Sequence, residues 1–181
     1  MSVKIGVVGS VNLDLVASGA PLPRAGETVT GARFSQHTGG KGANQALAAQ
    51  RLGADVFMVG RIGDDALAEP ALELLRRDGG DVSRVMSEIG ESTGVALISV
   101  APDGENQITV ASGANSTLGL DAAADLPDCD AILCQLEIPI PAIESSARRA
   151  KACGALLAVN LAPAIELEAE LLRQIDLVIV N

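Results

Sequence analysis

Gly39-Gly40-Lys41-Gly42-Ala43-Asn44-Gln45-Ala46 is the stretch around which the chain is organised. Adjacent glycines allow a sharp turn with positive φ and a close approach of the backbone to a ligand. The residues that follow favour a helix, which the sequence predicts over residues 40–52. Lys41 and Asn44 share one face near the helix N-terminus, where backbone N–H groups have no partner. The stretch therefore predicts a site for a polyhydroxylated or anionic small molecule, although a glycine turn before a packing helix would look similar.

Composition and charge restrict the class of protein. With 181 residues, 48% of them apolar and 20% charged, the chain has globular values and can build one hydrophobic core. The net charge of −10 and the pI of about 4.4 argue against nucleic acid or an anionic membrane as a partner. The only aromatic residues are Phe34 and Phe57, so aromatic platforms for nucleobases are nearly absent.

The cysteines and the N-terminus indicate a compartment. Cys129, Cys134 and Cys153 are odd in number and lack the C-x-x-C spacing, which suits a reducing environment and argues against a cysteine metal site. The chain enters a strand-like run at once, without a signal-peptide pattern, and contains no apolar stretch of membrane-spanning length. We expect a soluble, cytoplasmic protein.

Strand-like and helix-like segments alternate along the chain, which predicts an α/β fold. Buried strands are predicted at 3–9, 56–60, 131–136, 155–160 and 177–181, and helices at 40–52, 67–78, 139–153 and 166–174. Residues 95–101 and 107–112 break this alternation as an antiparallel hairpin, which is either a lid over a ligand or an ordinary edge hairpin. The final strand is apolar with no helix after it, so we expect the chain to stop within the fold.

Polar side chains occur where ligands of α/β sheets bind. Asn12 and Asp14 follow the first strand and project from one face, while Glu137 follows the strand at 131–136. A solvated strand edge would explain Asn12 and Asp14 equally well. The single histidine, His37, is more typical of packing or hydrogen bonding than of catalysis.

Several motifs in register resemble those of the ribokinase-like (PfkB) carbohydrate kinases. They are residues 9–14, 23–28, 39–46, 63–65, 92–96, 104–106, 113–115 and 135–137. The resemblance extends over residues 1–181. It implies a three-layer α/β/α sheet with a small β-sheet lid, present here as the N-terminal portion and truncated after the strand ending at Asn181. It places lid strands near 12–18, 28–35, 95–101 and 107–112, and implies a homodimer formed through the lid.

The resemblance also implies an activity and a site. The reaction is transfer of the γ-phosphate of ATP to O5 of D-ribose, giving ribose 5-phosphate, with Mg²⁺ and a monovalent cation (K⁺). The implied sugar-binding residues are Asn12, Asp14, Gly40, Lys41, Gly42, Ala43, Asn44 and Glu137, and the implied nucleotide-binding residue is Asn181.

Other functions stay open at this point. The family's catalytic aspartate belongs to a motif without a counterpart in residues 1–181, so the resemblance implies that these residues alone are inactive. The alternatives are a kinase for another sugar or a nucleoside, and a non-catalytic module for sugar binding or dimerisation.

Overall fold

The computed structural model describes residues 2–180, which form two β-sheets and four α-helices. The elements, in chain order, are β1 (Lys4–Val8), β2 (Asn12–Ser18), β3 (Arg33–Gly39), α1 (Lys41–Arg51), β4 (Asp55–Gly63), α2 (Ala68–Arg77), β5 (Asp81–Glu88), β6 (Gly94–Val100), β7 (Asn106–Ala111), a 3₁₀ helix (Gly113–Thr117), β8 (Ala131–Gln135), α3 (Ile140–Cys153), β9 (Leu156–Asn160), α4 (Ala169–Leu172) and β10 (Leu177–Ile179).

The larger sheet is parallel throughout, with the order β10-β9-β8-β1-β4-β5. Val7 and Val8 in its central strand are both fully buried, and they belong to two different apolar clusters. The cluster around Val7 includes α1 and α2, and the cluster around Val8 includes α3 and α4. Because neighbouring strand residues point to opposite faces, the sheet lies between two helical layers, and the predicted α/β/α fold class is confirmed.

The smaller sheet, which we call the lid sheet, has the order β3-β2-β6-β7. Its β6 and β7 strands form the antiparallel hairpin that the turn between them predicted, whereas β2 pairs with β6 in parallel. Leu13 is buried in the cluster of α1 and α2, so one face of β2 packs on the larger sheet's helical layer. Asn12 and Asp14, at alternate positions, therefore lie on the opposite face.

One lid strand lies later in the chain than the sequence predicted. The expected strand at 28–35 is observed as β3, Arg33–Gly39. Thr28-Val29-Thr30 have the β-branched character of a strand, but Gly31 follows them with a φ of 90°, which is outside the β region. Pairing with β2 fixes the observed register, because Asn12 lies opposite Gly39 and Ser18 opposite Arg33.

Other differences concern the edges of the structure. The helix predicted at 166–174 is only α4, and Glu168 before it has extended backbone angles. Strand β5 was not predicted, since it lies at the edge of its sheet and lacks the continuous apolar run of a buried strand. The described chain contains no helix long and apolar enough to cross a membrane.

Asp65 connects the start of α2 to the residue before the lid strand β6. Residue Leu67 is the N-cap, and Asp65 Oδ1 accepts a hydrogen bond from its backbone N at 3.0 Å. The Asp65 carboxylate also accepts from the backbone N and the hydroxyl of Thr93, at 2.8 and 2.7 Å. Burial raises the pKa of Asp65, but the hydrogen bonds from Thr93 and neighbouring backbone outweigh it and hold this pKa below its ordinary value. Thr93 Oγ1 in turn accepts from the backbone N of Gly63, at the end of β4.

Replacing Thr93 by valine is expected to lower the free energy of unfolding by about 1–3 kcal/mol, because the buried Gly63 N–H loses its acceptor. For a domain of this length that corresponds to a melting temperature lower by roughly 2–12 °C, measured by circular dichroism. Thr109→Val on the exposed strand β7 is the matched control and should melt like the wild type. Equal melting of Thr93→Val and Thr109→Val would show that the hydroxyl does not stabilise the junction.

Candidate functional site

Most of the sequence-predicted site residues meet beside β1, at the carboxyl edge of the larger sheet. The chain order of the strands reverses there, since β4 lies on one side of β1 and β8 on the other. Open α/β sheets bind ligands at such a reversal. A cavity of about 650 Å³ occupies this edge. Its lining residues are Asn12, Asp14, Gly40, Lys41, Asn44, Ile108, Val110, Ser112, Asn115, Ser116, Leu136, Glu137, Ile138, Pro139, Ala162 and Pro163.

Glu137 brings a negative charge to the N-terminus of α1. Its Oε2 accepts hydrogen bonds from the backbone N of Lys41 at 3.0 Å and from the hydroxyl of Ser10 at 2.6 Å. Its Oε1 lies 3.4 Å from Lys41 Nζ. An anion in this position satisfies a free helix N–H and interacts favourably with the helix dipole. One carboxylate and one ammonium are thereby held together at the cavity wall.

In the glycine-rich turn, some residues line the cavity and others hold the turn in place. Gly40 lines the cavity at a φ of 86°, and a Cβ there would lie 2.7 Å from Ser10 O. Gly42 and Ala43 do not line the cavity. Their backbone N–H groups donate to Ser10 Oγ at 3.3 Å and to Ser10 O at 2.9 Å, which holds the start of α1 against the turn after β1.

Asp14 is the second carboxylate of the cavity. It is half-buried on β2 and lies opposite His37 in the antiparallel pair with β3. Burial raises the pKa of Asp14, and the negative charge of Glu137 raises it further, while His37 and Lys41 act in the opposite direction. His37 itself hydrogen-bonds to Ser35 Oγ at 3.0 Å.

Asn115 is a buried cavity residue to which the sequence analysis gave no role. Its Oδ1 accepts from the backbone N of Val11, and its Nδ2 donates to Val11 O and to Asn12 Oδ1 at 2.8 Å. Residues 113–115 were visible as a family motif, but nothing local indicates a partner 103 residues earlier. Ser10, which orients Glu137, was missed for the same reason.

The cavity offers both kinds of hydrogen-bonding group. Asp14 and Glu137 provide acceptors, while Lys41 and the amides of Asn12 and Asn44 provide donors. A polyhydroxylated molecule, whose hydroxyl groups both donate and accept, fits such a lining. No group of three His, Cys, Asp or Glu side chains within residues 2–180 could hold a metal ion. Asn181, expected to contact nucleotide, lies outside the described residues.

Comparison with known proteins gives consistent relatives. A family profile described as pfkB family carbohydrate kinase matches residues 3–181. The chain is 40% identical to a ribokinase of Haemophilus influenzae, over 97% of this chain and 58% of that protein. It is 35% identical to a deoxyribokinase of Salmonella typhi, over 89% of this chain and 54% of that protein. The chain thus spans less than two thirds of the length of these relatives.

A solved structure extends the similarity to the fold. Arabidopsis thaliana ribokinase complexed with ribose and ATP superposes with a TM-score of 0.86 at 30% identity, covering 100% of this chain and 61% of that one. The family profile, the relatives and this structure agree. The chain belongs to the pfkB family of carbohydrate kinases.

Proposed function

We propose that this chain binds D-ribose in the cavity beside β1. We further propose that a protein of the relatives' length transfers the γ-phosphate of ATP to O5, giving ribose 5-phosphate. The observation that carries the proposal is the convergence of Asn12, Asp14, Lys41, Asn44 and Glu137 on one cavity. The ribokinase similarity supports the sugar, and the Arabidopsis enzyme's complex supports both ligands.

The charges of the cavity favour a sugar over an apolar ligand. A hydrogen bond to a charged group contributes about 1.5–3 kcal/mol, against about 0.5–1.5 kcal/mol for a neutral pair. Three charged groups, Asp14, Lys41 and Glu137, face the cavity. A ligand that lacks a matching hydroxyl leaves one of them without a partner, so the lining selects for hydroxyl position.

The described residues hold the acceptor side of the reaction. Phosphoryl transfer depends mainly on positioning and charge stabilisation, and these residues position the sugar. We propose that residues 1–181 alone bind ribose without turning it over, since the family's catalytic aspartate has no counterpart here. ATP, Mg²⁺ and K⁺ belong to the proposed activity of the longer protein.

A second candidate substrate is 2-deoxyribose, favoured by the 35% identity to a deoxyribokinase. The two sugars differ by one hydroxyl. Calorimetric titration of D-ribose, 2-deoxyribose, fructose and adenosine into the chain tests the proposal. Saturable binding with ribose strongest supports it, and preferential binding of 2-deoxyribose would favour the second candidate. Heat from adenosine alone would contradict both, and would point to a nucleoside kinase.

Assembly and compartment are further parts of the proposal. We propose a homodimer formed through the lid sheet, because Ile108 and Val110 on its cavity face are 55% and 46% exposed. A second lid sheet would remove these side chains from water. Light scattering tests this, with a monomeric mass as the contradicting result.

The thiols of Cys129, Cys134 and Cys153 are all free, which supports a cytoplasmic location.

Ribose affinity is expected to fall on acidification, since protonation removes the charge of Asp14. Its pKa is raised above the ordinary 3.8, so the loss begins at a higher pH than for an exposed aspartate. Titrations from neutral pH to the acid limit of folding measure the effect. Asp14→Asn is the control and should bind weakly at every pH. A wild-type affinity that stays constant over this range would contradict a binding role for ionised Asp14.

A further inference from the structure

We propose that Asn115 is a positioning residue that fixes the amide of Asn12 so that its NH₂ group, and not its oxygen, faces the sugar. This inference rests on the proposed function of the cavity. It assigns a polarity to Asn12 and a role to Asn115, which lies in the 3₁₀ helix and is 1% exposed.

The orientation of Asn115 follows from the backbone that it contacts. The backbone N–H of Val11 can only donate, so the Asn115 atom 2.9 Å from it must be the oxygen. The carbonyl of Val11 can only accept, so the Asn115 atom 3.1 Å from it must be the nitrogen. Two backbone groups of one residue therefore exclude the flipped amide.

The orientation of Asn12 follows in turn. Asn115 Nδ2 lies 2.8 Å from a terminal atom of Asn12, and a donor requires an acceptor there. That atom is therefore Asn12 Oδ1, and the remaining Nδ2 group of Asn12 is left for the cavity that this residue lines. Asn12 is 2% exposed, and a wrongly turned amide would set its NH₂ group against the NH₂ group of Asn115, which leaves two buried donors without an acceptor.

Gly94 packs against the hydrogen-bonded side chains of Asn12 and Asn115. A Cβ at this position would collide with Asn12 Oδ1 and with Asn115 Nδ2, so the absence of a side chain lets the two amides meet. Gly94 begins β6 and lies opposite Asn12 in the parallel pair. The hydrogen bond is thus enclosed by the junction between the lid sheet and the rest of the molecule.

The consequence is an ordered pattern on the ligand side of β2. Asn12 presents a donor, and Asp14, two residues on and on the same face, presents an acceptor. Neighbouring hydroxyls of a sugar can satisfy both at once. Asn115 contributes to recognition through Asn12, although its own amide is occupied by protein partners.

Asn12→Asp tests the polarity without changing residue 115. Its carboxylate can still accept from Asn115 Nδ2, but an oxygen replaces the NH₂ group that faces the cavity. We expect ribose affinity to fall at least about tenfold, and the melting temperature to lie below that of the wild type because the new carboxylate is buried on the same strand face as Asp14. Affinity retained in Asn12→Asp would overturn the proposal, because it would mean that Asn12 needs only an oxygen there.

Asn115→Asp and Asn12→Ala test the coupling between the two residues. At position 115 a carboxylate cannot donate to Asn12 Oδ1, so affinity should fall about tenfold or more in Asn115→Asp. In the Asn12→Ala background the same change should cost no further affinity. Thr117→Val, which removes a hydroxyl of the same 3₁₀ helix, is the control and should bind ribose within about twofold of the wild type. Additive losses in the double variant would show that Asn115 does not act through Asn12.

A measurement without sugar separates this proposal from the proposed function. In nuclear magnetic resonance spectra of the wild type, the side-chain NH₂ group of Asn12 should give one pair of narrow signals, displaced in chemical shift from those of exposed asparagines, because the group is held in one orientation. These signals should shift or broaden in Asn115→Asp and stay unchanged in Thr117→Val. Unchanged Asn12 signals in Asn115→Asp would overturn the positioning role, whereas ribose failing to bind the wild type would overturn the proposed function alone.

Discussion

Asp14→Ala is expected to raise the Kd for D-ribose by roughly 10–150-fold, which corresponds to the loss of about 1.5–3 kcal/mol from a charge-assisted hydrogen bond. The side chain lines the cavity from the lid sheet, and Glu137 lines it from the end of β8 in the larger sheet. Calorimetric titration measures the loss in this chain. In a protein of the relatives' length the same change should raise the KM for ribose or abolish turnover.

The stability of Asp14→Ala separates a binding defect from misfolding. Burial raises the pKa of Asp14, which means that the folded state disfavours its ionised form. At neutral pH the ionised carboxylate therefore lowers the free energy of unfolding. The variant should therefore melt no lower than the wild type at neutral pH. Glu105→Ala, in the exposed turn between β6 and β7, removes the same charge and should leave the Kd unchanged. Equal affinities of Asp14→Ala and Glu105→Ala would contradict the assignment.

Gly42→Ala is expected to lower the free energy of unfolding by about 3 kcal/mol, near the upper end for overpacking. A Cβ at this position would lie 2.6 Å from Gly9 C and from Ser10 N, which are backbone atoms that cannot rotate away. Relief requires the N-terminus of α1 to move from the turn after β1. For a chain of this length the change corresponds to a melting temperature lower by about 6–12 °C.

The same movement should weaken sugar binding. It would lengthen the hydrogen bonds that Gly42 and Ala43 donate to Ser10, and Ser10 orients Glu137. Gly119→Ala is the matched control, because its Cβ would meet only an ordinary contact with Asp121. The measurements are thermal melting and ribose titration of both variants. Gly42→Ala with wild-type melting would show that the α1 start is not tightly packed.

The parts of the fold that the sequence predicted are those determined by nearby residues. Helix α1 begins directly after Gly40, its N-cap, which has a φ of 86°. The sequence predicted such a turn because adjacent glycines allow positive φ. Strand β2 has the bounds that the family resemblance implied for it, 12–18, and Asn12 and Asp14 alternate with apolar neighbours at its start. The place of Glu137, just after β8, followed from the general position of ligands at the carboxyl ends of strands, whereas Asp14 lies within the lid strand β2.

The features that the sequence could not predict depend on residues far apart in the chain. Glu137 accepts from the N-terminus of a helix that begins 96 residues earlier, and Asn115 acts on Val11 from 104 residues away. The register of β3 is set by pairing with β2 and overrides the β-branched residues that favoured a strand at 28–35. Hydrogen bonds of this kind have no local signal.

A structure of the chain crystallised with D-ribose tests the central claim most directly. We predict one sugar in the cavity beside β1. Its hydroxyls should lie within hydrogen-bond distance of the Asp14 carboxylate, of Asn12 Nδ2 and of the Lys41, Asn44 and Glu137 side chains. Ribose bound elsewhere, or in this cavity without contact to Asp14 and Asn12, would contradict the account.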